Sequence, residues 1–140
     1  MATFTSQIYE ILNLNGDDVG SSVVNTINNV NYVDNRILSI PSGSVTTLFS
    51  FDSVPGAGTF VTSSVQYVRV TNNSTAVPIK LIVSSSTEAM SYLIATGSSY
   101  MMSSTKMTGS ISGLSFDDIK SVKVEPSGSS ASIEYYIVTA

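Results

Sequence analysis

Apolar and polar residues alternate along most of the chain, most clearly in Val65-Gln66-Tyr67-Val68-Arg69-Val70-Thr71. Val68 and Val70 fall on one side there, and Tyr67, Arg69 and Thr71 on the other, as in a strand with one face on a core. Ile119-Lys120-Ser121-Val122-Lys123-Val124-Glu125 repeats the pattern with Val122 and Val124 inward, and Pro126-Ser127-Gly128 ends it. From Ala131 to Val138, Ile133, Tyr135 and Ile137 alternate with Glu134, Tyr136 and Val138. Both faces of that segment are largely apolar, which predicts a central strand or one covered by an interface.

Further strands are predicted at Ile8–Leu14, Arg36–Ile40, Val45–Phe51, Ile79–Val83, Ser91–Thr96 and about Tyr100–Met107, each bounded by Pro, Gly, Asn or Ser clusters, making roughly nine in all. Pro41-Ser42-Gly43-Ser44 and Thr96-Gly97-Ser98-Ser99 read as hairpin turns, which favours antiparallel pairing. No long segment carries the i, i+3, i+4 spacing of a helix, and a single helical turn is expected around Leu114–Ile119. The expected fold is all-β: an antiparallel β-sandwich, jelly-roll-like, with little or no helix.

The N-terminal stretch reads differently. Asn25, Asn28, Asn29, Asn31 and Asn35 are spaced among isolated apolar residues, which predicts either an irregular strand or an extended arm. An arm laid on a neighbouring subunit gains affinity from main-chain pairing and register from alternate side chains. The expected organisation is one domain, with residues 1–34 as an N-terminal strand and candidate arm and residues 35–140 as the sandwich.

Composition narrows the function. Hydrophobic residues make up 42% of the 140 residues but charged residues only 11%, against roughly 25% in an average soluble domain. A membrane-spanning helix does not explain this, because the apolar runs fall far short of the ~20 residues a bilayer needs. Hydroxyls replace the missing charge, with 27 Ser and 14 Thr. Neutral, small polar groups repel neighbours weakly, which suits subunits that pack side by side. The segment Met1-Ala2-Thr3-Phe4-Thr5-Ser6-Gln7 has neither the basic region nor the apolar stretch of a secretory signal or transit peptide, so the chain is expected to stay in the cytosol unless an assembly carries it out. A net charge of −4, with Arg36, Arg69, Lys80, Lys106, Lys120 and Lys123 scattered, argues against nucleic acid.

Catalytic chemistry has little to build on. His and Cys are absent, so there is no imidazole base, no thiolate and no Cys/His zinc site, and a Ser or Thr nucleophile lacks its usual base. Asp17-Asp18 and Asp117-Asp118 are adjacent carboxylates, which on a strand point to opposite faces, so solvated loop groups are expected. Asn13, Asn15, Asp17 and Asp18 offer hard oxygens for a weak calcium candidate, without the full EF-hand spacing or its closing Glu. No cofactor is expected. Pro55-Gly56-Ala57-Gly58-Thr59 lacks the Lys and following helix of a phosphate loop and reads as a mobile connection. Asn72-Asn73-Ser74-Thr75 reads as a turn rather than a glycan acceptor. Tyr100, Met101, Met102 and Met107, joined by Tyr136, form a candidate interface of adaptable thioethers and aromatics. The seven Tyr residues also offer planar faces for a sugar, although Trp is absent.

From Asn35 onward the order of features resembles small virion structural proteins of tailed bacteriophages, of the head decoration or cement type. Arg36-Ile37-Leu38-Ser39-Ile40-Pro41-Ser42-Gly43-Ser44 leads into Val45-Thr46-Thr47-Leu48-Phe49-Ser50-Phe51. A Gly loop follows, then Tyr67-Val68-Arg69-Val70-Thr71-Asn72 and the closing Ile133-Glu134-Tyr135-Tyr136-Ile137-Val138. The resemblance implies a jelly-roll-like subunit in the virion, assembled in the host cytoplasm and stabilising the particle through contacts with the major capsid protein or other virion proteins. It implies self-association into a homo-oligomer, a trimer among the candidates, and no catalytic residue. The alternative within the same resemblance is a receptor- or glycan-binding module of the tail, neck or fibre.

Overall fold

The computed structural model describes residues 2–103 and 118–140. Within them the chain forms thirteen strands and a single short 3-10 turn at Thr62–Ser64. The N-terminal strands are β1 (Ala2–Tyr9), β2 (Asn13–Leu14), β3 (Asp17–Asp18) and β4 (Ser22–Val30). They are followed by β5 (Tyr32–Ile40), β6 (Thr46–Asp52), β7 (Thr59–Val61), β8 (Val65–Asn72) and β9 (Ile79–Ser84). The rest are β10 (Ala89–Ile94), β11 (Ser99–Ser103), β12 (Ser121–Pro126) and β13 (Ala131–Thr139).

Two antiparallel sheets stack on each other. One has the order β5-β13-β8-β11 and the other β6-β12-β9-β10, with the short β7 added in parallel beyond β6. The strands consecutive in sequence, β5 and β6, β8 and β9, β10 and β11, β12 and β13, change sheet at every step and take matching places in the two orders. That is the winding of a jelly roll, the all-β sandwich expected from the period-two pattern. The link from β11 to β12 runs outside the described residues. So do the end of the strand expected to reach Met107 and most of the helical turn expected at Leu114–Ile119; Asp118, Ile119 and Lys120, which are described, have no regular structure.

The turns at 41–44 and 96–99 are not hairpins. β5 pairs with β13 while β6 pairs with β12, and β10 pairs with β9 while β11 pairs with β8, so both turns carry the chain across the core from one sheet to the other. Gly, Pro and Ser specify a reversal of direction, but the partner of the emerging strand is chosen by distant segments whose apolar faces must meet. The inward faces supply the core: Val68 and Val70 of β8, Leu81 of β9, Val122 and Val124 of β12, and Ile133 and Ile137 of β13 are fully buried. Phe49 sits edge-on to Tyr135 and Phe51 at centroid distances of 5.6 and 5.5 Å. Full burial of such side chains stabilises by about 1.5–3 kcal/mol each before entropy is counted.

Asn72 is a fully buried polar residue at one end of the sandwich. Its Nδ2 donates to the carbonyls of Val77 (2.8 Å) and Ile94 (3.2 Å), and its Oδ1 accepts from the amide of Ser74 (3.0 Å). The side chain thus ties the end of β8 to the loop before β9 and to the end of β10. With no exposed surface it is not open to glycosylation.

Where an irregular strand or an extended arm was expected, β1 to β4 form one long hairpin. β1 pairs with β4 from Ala2–Val30 to Tyr9–Ser22, Glu10 and Val19 continue the ladder through bonds to Ser21 and Leu12, and β2 with β3 close it. Asn15 and Gly16 at its tip both have positive φ, 56° and 95°, the requirement of a two-residue type I′ turn. β4 runs into β5 through Asn31 alone, so the expected division at residue 34 falls inside β5.

Candidate functional site

The hairpin has an anchored base and an uncovered outer part. Phe4, Ser6 and Ile8 lie opposite Ile27, Asn25 and Val23, on the face turned toward the sandwich. At the base, Phe4 lies 4.9 Å from Tyr67 and 5.6 Å from Tyr136, ring centroid to ring centroid. Ile27, Tyr67 and Val138 are buried together beneath it, forming a small second core on the outer side of the β5-β13-β8-β11 sheet. The Asn25 side-chain amide donates to the Ser103 hydroxyl of β11. This cover explains why both faces of β13 are apolar.

Beyond the base no other described strand supports the hairpin. Ile8, Tyr9, Ile11, Leu12, Leu14, Val19, Val23 and Val24 are all exposed, Ile11 by 75%. A groove of about 450 Å³ runs between this part of the hairpin and the sheet, lined by Ile8, Val23, Val24, Tyr67 and Met101 among others. A two-stranded ribbon is marginal on its own in water, and apolar groups gathered this way mark a contact surface. Gly20 allows the ribbon's close approach, because a Cβ there would lie 2.0 Å from the Glu10 carbonyl oxygen.

The residues singled out from the sequence fare unequally. Asn13, Asn15, Asp17 and Asp18 all sit at the hairpin tip but do not converge. Asn13 opposes Asp18 and Leu14 opposes Asp17, which sends the two carboxylates to opposite faces. Asn13 Oδ1 accepts from the Gly16 amide (3.1 Å) and Asp18 Oδ1 from the Gly20 amide (2.9 Å), so these oxygens serve the turn. No group of three or more acidic side chains that could hold a metal exists among the described residues. The candidate interface is likewise divided by alternation along β11: Tyr100 and Met102 pack against the main core, while Met101 faces out and is exposed. Tyr136 is packed under Phe4, and Met107 lies outside the described residues.

A second concavity was invisible in the sequence. A cleft of about 420 Å³ opens between the edge of β5 and the β6–β7 region of the other sheet. Asp34, Arg36, Leu38 and Tyr135 line one wall, and Pro55, Gly56, Gly58 and Phe60 line the other. The glycine segment expected as a mobile connection is a hydrogen-bonded turn, with Gly56 and Thr59 exchanging amide bonds at 3.1 and 3.0 Å. Asp34 accepts from the Tyr135 hydroxyl at 2.8 Å through one oxygen and from Arg36 Nε at 3.0 Å through the other. Burial and the hydrogen bond to Asp34 push the Tyr135 phenol up to about 12, so it stays a neutral donor. Tyr32 and Phe60 lie 6.0 Å apart in the same cleft. A fixed carboxylate and guanidinium beside aromatic rings can hydrogen-bond a hydroxylated ligand. Asp34 is the single carboxylate among the described residues that line the cleft.

No protein-family model matches the chain, and no curated protein and no solved structure matches it.

Proposed function

We propose that the protein is a structural subunit of a larger particle, a decoration or cement-type virion protein that binds its neighbours through the β1–β4 hairpin. The observation that carries this reading is the hairpin itself: eight large exposed apolar side chains on a ribbon fastened to the sandwich by an aromatic clamp at its base. The hydroxyl-rich, charge-poor composition supports it, since such a surface tolerates close packing of copies. So does the jelly-roll winding, which the virion resemblance implies. The role is mechanical, adding buried area across subunit boundaries until it reaches the roughly 1,200–2,000 Å² typical of specific interfaces.

The test compares the full chain with a variant in which residues 11–20 are replaced by Asn-Gly, joining the hydrogen-bonded pair Glu10 and Ser21 through a turn of the same type. Labelled copies are then counted on virions assembled in cells making either form. Many copies of the full chain spread over the head, and none of the folded short-hairpin variant, is the expected result. Equal incorporation of both forms would contradict it.

A second reading, a glycan- or receptor-binding virion module, is favoured by one observation, the cleft with Asp34, Arg36 and Tyr32. It predicts few copies at one vertex or tail tip. It also predicts binding on a glycan array that Tyr32→Ala and Asp34→Asn abolish.

A further inference from the structure

Among the described residues no strand pairs with the outer edge of β5, and that edge carries a self-complementary pattern. β13 lies between β8 and β5, and the Ser132 carbonyl accepts from the Asn73 amide on the β8 side, at 2.9 Å. Backbone groups along an antiparallel strand turn alternately to its two neighbours. Ile133, Tyr135 and Ile137 therefore bond to β5, through their partners Leu38, Arg36 and Asp34. The intervening Val33, Asn35 and Ile37 aim their amides and carbonyls at the open edge. That edge is nine residues long and has no Pro, no Lys and no register break to blunt it, and its two charged residues, Asp34 and Arg36, are of opposite sign. Val33 and Ile37 are 41% and 69% exposed.

We infer that β5 pairs with β5 of a second copy, antiparallel about a two-fold axis at Asn35. Only registers that set outward residues opposite outward residues satisfy the backbone, which confines the central axes to Asp34, Asn35 or Arg36. An axis at Asp34 would face Asp34 with its own copy, and an axis at Arg36 would do the same for Arg36; like charges directly opposed are destabilising. The axis at Asn35 sets Asp34 against Arg36 twice and Val33 against Ile37 twice. The Arg36 side chain, although bonded to Asp34 through Nε, is 60% exposed, and that of Asp34 is 13% exposed. The two four-stranded sheets become one eight-stranded sheet across an isologous interface.

This inference deepens the structural-subunit reading by naming a second copy as one partner, but it uses a different surface from the hairpin. Sedimentation of the full chain across a concentration series, with hydrogen exchange, tests it. A monomer–dimer equilibrium is expected, with the amides of Val33, Asn35 and Ile37 gaining protection as dimer forms. Asn35→Pro removes an edge amide without touching a bond to β13, and should abolish the dimer while the fold persists. Asp34→Arg or Arg36→Asp should weaken it roughly tenfold or more, and the double exchange should restore it. The short-hairpin variant should dimerise as the full chain does, so failure of the hairpin reading leaves this result readable. A chain monomeric at all concentrations, a dimer indifferent to Asn35→Pro, or a dimer lost with the hairpin would overturn the inference.

Discussion

Phe4, in the first strand, rests its ring 4.9 Å from that of Tyr67, at the middle of the chain, and so fastens the base of the hairpin to the outside of the sandwich. The contact separates two stabilities. The jelly-roll core lies on the other face of the same sheet and does not depend on it.

Phe4→Ala should therefore act locally. A fully buried Phe loses about 3–5 kcal/mol on truncation, and this half-buried ring should lose about 1–3 kcal/mol, taken from docking of the hairpin. Hydrogen exchange should show β1 and β4 opening while β8 and β13 stay protected.

Asn72 acts globally. Its replacement by Ala leaves two carbonyls and an amide without their partner in a buried place, at a cost of about 2–4 kcal/mol. Asn72→Asp should cost more at neutral pH, because a carboxylate would face the carbonyls of Val77 and Ile94. Chemical denaturation of the three proteins measures both differences.

Alkali should weaken the protein through Tyr135. In the unfolded chain the phenol ionises near its ordinary value of about 10, whereas in the folded chain it holds its proton to about 12. The unfolded state therefore binds fewer protons between those values, so stability is full below pH 10 and falls as pH rises toward 12. Tyr135→Phe should flatten that decline, as followed by Tm against pH.

Calcium should have no effect. The candidate ligands at the hairpin tip face opposite ways or serve the turn, so Tm in calcium and in chelator should coincide. A rise in Tm with calcium would require Asp17 and Asp18 to reorganise around the ion.

Strands and their buried faces were legible because a period of two is a local property: Val68 and Val70, or Val122 and Val124, announce their side without reference to any partner. Sheet membership was not local. Pro41 to Ser44 codes a reversal, and only β12 and β13, some eighty or more residues later, decide that β6 crosses the core. The hairpin carried a readable signal that its Asn-rich surroundings obscured, namely Asn15-Gly16 between two ladders, the sequence a type I′ turn demands. The cleft carried none, since Asp34 meets the Tyr135 hydroxyl across a separation of 101 residues.

Hydrogen exchange of the peptide spanning residues 8–24, in the free subunit and in the purified particle, reports whether the hairpin is what holds the subunit to its neighbours. If the uncovered ribbon binds neighbouring proteins, its amides exchange fast in the free chain and are strongly protected in the particle. Equal exchange in both, with the chain present in the particle, would contradict the claim.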